Sequence, residues 1–221
     1  VKRTKTASRE APQPRAEAPM RDRILGAAFA AFMEYGYERA STLDIATRAK
    51  VSKRELYALF ESKHAMLTAC ITERANRMRL ALKLPPPGDR AALAATLNAF
   101  GTVILREVCD PKVLAVYRLA IAESDGAPEI AQVLNKVGRE ANRAALVEFL
   151  AGAQANSLIG PVEPATMAAR FFALIWEDLL VRLLLRVANV PKPAEIEQRV
   201  RAATEILMAL YPDPSSEAKS R

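Results

Sequence analysis

Between Ser41 and Leu67 the chain reads STLDIATRAKVSKRELYALFESKHAML, and this stretch fixes the local architecture more tightly than any other. Ile45, Ala46, Ala49, Val51, Leu56 and Phe60 recur at helical intervals and form a continuous apolar side. Ser41 precedes Asp44 by three residues, and Ser52 precedes Glu55 by three. In each pair a hydroxyl and a carboxylate are placed to satisfy the free amides of a helix start reciprocally. The spacing predicts short helices over roughly 42–49 and 52–59, a tight turn between them, and a longer helix capped by Ser62. Lys50, Lys53 and Arg54 put positive charge at the turn and at the start of the second short helix. Two short helices, a turn and a basic second N-terminus make a helix-turn-helix pattern.

Around this pattern, Thr42, Ile45, Ala46, Ala49, Val51, Ser52, Leu56, Tyr57, Phe60, Ser62 and Lys63 resemble the N-terminal DNA-binding signature of the tetracycline-repressor (TetR) family of bacterial transcriptional regulators. The motif spans about a quarter of the chain; the rest resembles the family in length and helical pattern. Lys50 departs from it, standing in the turn where the family usually has Gly. A non-glycine residue held left-handed there costs about 1 kcal/mol. The resemblance implies an all-α fold, a three-helix DNA-binding domain and a helical bundle that dimerises and encloses a small-molecule effector.

Charge agrees with a polyanionic partner. Residues 1–63 carry 13 Lys or Arg against 8 Asp or Glu, whereas the remainder carries 19 against 17. An apolar content of 51% supports a full core, and abundant alanine and leucine favour helices. Cys70 and Cys109 show no metal-ligand or disulfide spacing and read as reduced thiols of a cytoplasmic protein. LLVRLLLRV is interrupted by Arg182 and Arg186, so no membrane span is expected, and the polar N-terminus does not read as a secretory signal. His64 is the only histidine and has no partner set for a metal or for catalysis.

Four regions are expected. Residues 1–19, with three prolines and Lys2, Arg3, Lys5, Arg9 and Arg15, form a basic arm. Residues 20–66 form the DNA-binding domain, opened by a helix over 20–36 that Gly36 stops. Residues 67–211 form the ligand-binding and dimerisation domain, and 212–221 a tail. The fourth helix is expected to run to about Leu82, linking the two domains. LPPPGD, Leu84 to Asp89, ends that pattern. Further helices are expected at about 90–108, 111–124, 128–152, 164–188 and 193–210, with Pro111, Pro128, Pro164 and Pro193 near their starts.

Lys53 and Arg54 are the expected base readers, because long cationic side chains donate to guanine O6 and N7. Thr42, Ser52, Tyr57, Lys63, Lys50 and Arg21 are the expected contacts to the DNA backbone. Arg21 lies in the first turn of a helix, where its charge opposes the dipole unless an anion is near. Phe172, Leu179, Leu183 and Val187 make one expected dimer stripe; Val200 and Leu207 belong to a second on the last helix. The family resemblance implies an effector cavity among the middle helices. Its candidate liners are Phe100, Ile104, Tyr117, Arg118, Asn142, Phe149, Phe171, Ile175 and Trp176.

The expected function is a ligand-responsive, sequence-specific regulator of transcription. It acts as a homodimeric repressor that leaves a palindromic double-stranded operator when a small molecule binds; no cofactor is expected. Two other readings stand beside it: a DNA-binding interaction or architectural protein with no inducer, and a small helical enzyme. The latter lacks a phosphate loop, a metal cluster and a paired nucleophile and base.

Overall fold

The computed structural model describes residues 19–83 and 86–213. The expected arm up to residue 18 and the tail from 214 lie outside them, as do Leu84 and Pro85. The described residues contain helices and no strand.

The head is built from α1 (Met20–Tyr35), α2 (Thr42–Ala49), α3 (Lys53–Leu59) and the start of α4 (Lys63–Met78). Ile24, Leu25, Ala28 and Phe32 of α1 are buried against Ile45, Ala46 and Ala49 of α2, Leu56 of α3, and Met66 and Leu67 of α4. The apolar periodicity of the sequence thus becomes a three-sided core. Gly36 stops α1 with φ 81° and ψ 165°. Only glycine enters this region without strain: φ is positive, as the expected cap requires, while ψ lies outside the left-handed helical well.

The body contains α5 (Arg90–Val108), α6 (Pro111–Ala122), α7 (Pro128–Val133), α8 (Ala141–Ala155), α9 (Pro164–Trp176), α10 (Leu179–Leu184) and α11 (Pro193–Leu210). Four of these begin on the prolines that mark them in the sequence. α5 is apolar and long enough to span a membrane by length and composition. Its Leu93, Leu97, Phe100, Ile104 and Leu105 are buried in the body's main core, which accounts for that apolarity. Gly101 lets α11 approach closely: a Cβ there would lie 2.7 Å from Val200 Cγ1 and 3.0 Å from Phe171 Cζ. Arg90 ties the far end together, donating to the carbonyls of Leu158 (2.5 Å), Met208 (2.7 Å) and Tyr211 (3.0 Å). Those acceptors include carbonyls of the last turn of α11, which have no partner within the helix.

Three long segments are broken where an uninterrupted helix is expected. The fourth helix ends at Met78 and continues as a 3₁₀ turn, Leu80–Lys83. The segment over 128–152 contains a π-helical stretch, Leu134–Glu140, between α7 and α8. The segment over 164–188 breaks at Glu177, whose φ of 43° and ψ of −119° are costly for a non-glycine residue. Arg199 pairs with its carboxylate at 2.7 Å.

This last break corrects the dimer stripe. An unbroken helix would carry Phe172, Trp176, Leu179 and Leu183 along one face, but the turn at Glu177 resets the phase. Leu179 and Leu183 are buried with Cys109 and Leu114, while Val200 and Leu207 lie inside the main core. Phe172 is half-buried, packed edge-on to Phe100 and Phe171. Of the named stripe only Val187 is exposed, and it lies beyond the end of α10.

Head and body also share a core. Ala120 of α6, Ala127, and Ile130 and Val133 of α7 are buried with the head residues above. The division expected at residue 66/67 therefore does not separate two hydrophobic cores.

Candidate nucleic-acid interface

The turn between α2 and α3 is closed by Lys50 in the left-handed conformation, φ 54° and ψ 50°. Val51 N–H donates to Ala46 C=O at 3.0 Å and Lys50 N–H to Thr47 C=O at 3.1 Å, satisfying the last carbonyls of α2. The backbone that glycine would favour is kept, with a lysine placed on it. Replacing Lys50 by Gly removes a left-handed penalty of about 1–2 kcal/mol and adds an unfolded-state entropy cost of about 0.5–1 kcal/mol. Thermal unfolding of Lys50→Gly should show a net gain of about 0.5–1 kcal/mol.

The start of α3 carries the reciprocal arrangement expected. Glu55 N–H donates to Ser52 Oγ at 3.1 Å, and Ser52 N–H donates to Glu55 Oε2 at 2.7 Å. Accepting from the Ser52 backbone N–H, and also from its side chain, holds the Glu55 carboxyl below its ordinary pKa. The Ser52 hydroxyl donates to the same carboxylate at 2.8 Å. Its hydrogen is thus engaged in the cap of α3. At α2 the box does not form. Ser41 Oγ accepts from Leu43 N–H at 3.1 Å, while Asp44 pairs with Arg48 at 2.8 Å.

The basic residues of the head divide into those with internal partners and those without. Arg21 pairs with Glu73 of α4 and stacks over Phe60 at 5.7 Å. Arg23 Nε donates to the Ala49 carbonyl at 3.1 Å. Arg48 binds Glu34 at 2.7 Å and the Tyr35 hydroxyl at 2.6 Å. Lys63 Nζ donates to the carbonyls of Tyr37 (3.0 Å) and Glu38 (2.9 Å) and lies 5.1 Å from the Tyr37 ring centroid. Arg21 and Lys63, both expected at the DNA backbone, thus also hold the head together. A guanidinium beside Glu73 offsets its own unfavourable helix position without any phosphate, and two of the three Lys63 donors are occupied. Lys50, Lys53 and Arg54 are exposed and have no acidic partner among the described residues. Tyr57 is also exposed, and its hydroxyl lies 3.2 Å from Thr42 Oγ1, joining the start of α2 to α3.

The residues named for an effector cavity are mostly packed. Phe100, Phe171 and Ile175 are fully buried, and Ile104 nearly so. The rings of Phe100 and Phe171 stack at 6.4 Å. Tyr117, Phe149 and Trp176 pack half-buried against the same core. Burial pushes the Tyr117 hydroxyl above its ordinary pKa. Arg118 donates to the Leu183 and Leu184 carbonyls at 2.7 and 3.0 Å. Both bonds cap the end of α10. Asn142 differs from the others. It is buried, its amide nitrogen donates to Gly138 C=O at 2.7 Å, and its Oδ1 has no hydrogen-bond partner among the described residues.

Burial pushes the Cys70 thiol up to about 12 and the Cys109 thiol up to about 11, so both are protonated near neutrality. No group of His, Cys, Asp and Glu suited to a metal occurs among the described residues. His64 is exposed at the start of α4.

A contact between Glu123 and Tyr37 was not legible in the sequence. Glu123 caps the C-terminal end of α6, and its Oε1 accepts from Tyr37 N–H at 3.2 Å. A Cβ on Gly36 would lie 2.8 Å from the same oxygen. No spacing rule links positions 86 residues apart, and the only local hint was the Gly36 stop.

Residues 24–70 match the family described as bacterial regulatory proteins, tetR family. Residues 95–213, more than half of the chain, match the C-terminal domain of AefR-like transcriptional repressors. The chain belongs to the TetR family. It is accordingly a helix-turn-helix, DNA-binding regulator of transcription of the repressor class, in a family of regulators rather than enzymes. Over 201 residues it is 27% identical to an uncharacterised HTH-type transcriptional regulator of Mycobacterium tuberculosis, covering 90% of this chain and 89% of that one. A 53-residue stretch is 45% identical to the A-factor receptor protein of Streptomyces griseus, spanning 24% of this chain and only 19% of the receptor. Among solved structures, the flavonoid-responsive regulator FrrA superposes with a TM-score of 0.69 at 28% identity, over 88% of this chain and 97% of that one.

Proposed function

We propose that this TetR-family chain is a cytoplasmic, homodimeric repressor whose grip on a palindromic operator is released by a small molecule bound in the body. The observation that carries the reading is the shared core: α7 and the end of α6 complete the hydrophobic interior of the head. A shift of those elements has no route that leaves the head undisturbed, because cores are close-packed and transmit displacement. The Glu123–Tyr37 bond acts in parallel, since Tyr37 also receives Lys63 from the start of α4. Effector and operator then oppose each other reciprocally as a population shift, without chemistry. Similarity to a flavonoid-responsive regulator supports a small-molecule effector. Asn142 is its proposed polar anchor, because a hydrogen-bond donor would satisfy the buried Oδ1.

The dimer face we propose differs from the sequence stripe. Val181, Leu185 and Val187 at α10, with Ile206 and Leu210 on α11, are large apolar side chains left in solvent. Ile206 also lines a groove of about 680 Å³ between α9, α10 and α11. Large apolar side chains exposed on neighbouring elements mark a candidate association surface. Two heads held by such a two-fold contact are set to reach half-sites about 34–36 Å apart.

Recovering genomic fragments bound by the purified protein tests the reading. Inverted repeats with half-sites about one helical turn apart are the expected result, and recovery without sequence preference would overturn it. The variant carrying both Leu185→Glu and Ile206→Glu should sediment as a folded monomer and bind a whole operator at least tenfold more weakly. A dimer unchanged by these charges would place the interface elsewhere.

A further inference from the structure

We infer that Leu43 reads the C5 methyl group of a thymine in each operator half-site, alongside the cationic side chains of α3. The inference rests on the head being a sequence reader, and it adds a residue type that cationic readout does not supply.

Leu43 stands at the second position of α2 with 58% of its surface exposed. A single exposed leucine is ordinary on a protein surface. Its position makes this one different. Ile45, Ala46 and Ala49 turn inward from α2, while Asp44 and Arg48 turn towards α1, where Arg48 meets Glu34 and Tyr35. At about 100° per residue, Leu43 and Thr47 emerge on the side away from α1. Thr42 Oγ1 is joined to Tyr57 Oη at 3.2 Å, so the start of α2 is held against the α3 side chain next to Ala58. On α3, Leu56 and Phe60 face the core, leaving Lys53, Arg54, Tyr57 and Ala58 on the solvent side. Leu43 therefore borders the surface that carries the unpaired cations. Leu59, the other exposed leucine of the head, emerges on the opposite flank of α3 from Tyr57.

The chemistry of the major groove supplies the partner. Base edges there present hydrogen-bond donors and acceptors that a leucine cannot engage. The one apolar group they present is the thymine methyl. Lys53 and Arg54 donate to guanine N7 and O6, so they discriminate where a donor is useful. A leucine discriminates thymine from cytosine at an adjoining pair by burying a methyl group, without adding charge or salt dependence.

The test uses the full chain and a duplex selected from a random pool by the wild-type protein. Each thymine is replaced in turn by deoxyuridine, which deletes only the methyl group. One symmetry-related thymine position should lose about fourfold in affinity per half-site on this replacement, the value of one buried methyl group. Leu43→Ala should bind the thymine duplex more weakly by a similar factor, keep the wild-type salt slope, and show no further loss with deoxyuridine at that position. Leu43→Met should restore sensitivity to the methyl group. Selective binding in which no deoxyuridine matters, or in which Leu43→Ala remains as sensitive as the wild type, overturns the role of Leu43 alone. Failure to select any sequence would overturn the reading of the head itself and this inference with it.

Discussion

Truncating Phe100 to alanine should lower the unfolding free energy by about 3–5 kcal/mol, the range for removing a large aromatic ring from a packed core. The ring is fully buried, stacks on Phe171 at 6.4 Å and meets Phe172 edge-on at 6.1 Å. Gly101, the next residue, brings α11 so near that Val200 and Phe171 close over the site. The surroundings have little freedom to collapse into the space, so both the transfer and the cavity contributions should be felt. Since a domain of this size is stable by only about 5–15 kcal/mol, the loss is a large share of the total. Denaturant unfolding with an unchanged slope checks it. A loss below about 1 kcal/mol would show that the ring lines open space, as the sequence suggested, rather than filling the core.

Arg54→Ala should reduce affinity for the selected operator roughly 5- to 150-fold per half-site, the value of one bidentate pair to guanine. Binding to random DNA should change far less, because only a share of the electrostatic attraction is lost. The expectation rests on the sorting of cations in the head. Arg21, Arg23, Arg48 and Lys63 are held by partners within the protein, whereas Arg54 lies exposed at the start of α3. Titration of both duplexes at one salt concentration separates the cases. Equal losses on the two would assign Arg54 to phosphate.

The two short helices were legible because their information is local. Ser52 and Glu55 can reach one another only across a helix start, and the structure shows both bonds. Lys50 is an instructive case. The residue type argued against a left-handed turn, yet the backbone adopts one, because two carbonyls at the end of α2 need the amides of Lys50 and Val51. The DNA-contact list was less legible. Residue type marked Lys63 and Arg21 as phosphate partners, but gave no sign of their partners within the protein, the carbonyls of Tyr37 and Glu38 and the carboxylate of Glu73, which lie 25 or more residues away in the chain.

Local chemistry along the chain accounts for the helix-turn-helix unit, most helix starts and the all-α class, since caps, prolines and apolar period act within one or two turns. Tertiary structure alone decided which apolar stripe faces inward after the break at Glu177. It likewise decided which cations are paired within the protein, and it made α7 a wall of the head's core. Each depends on which surfaces meet. Phase after a kink, ion pairing and packing follow from distances between residues remote in the chain, which no local pattern encodes.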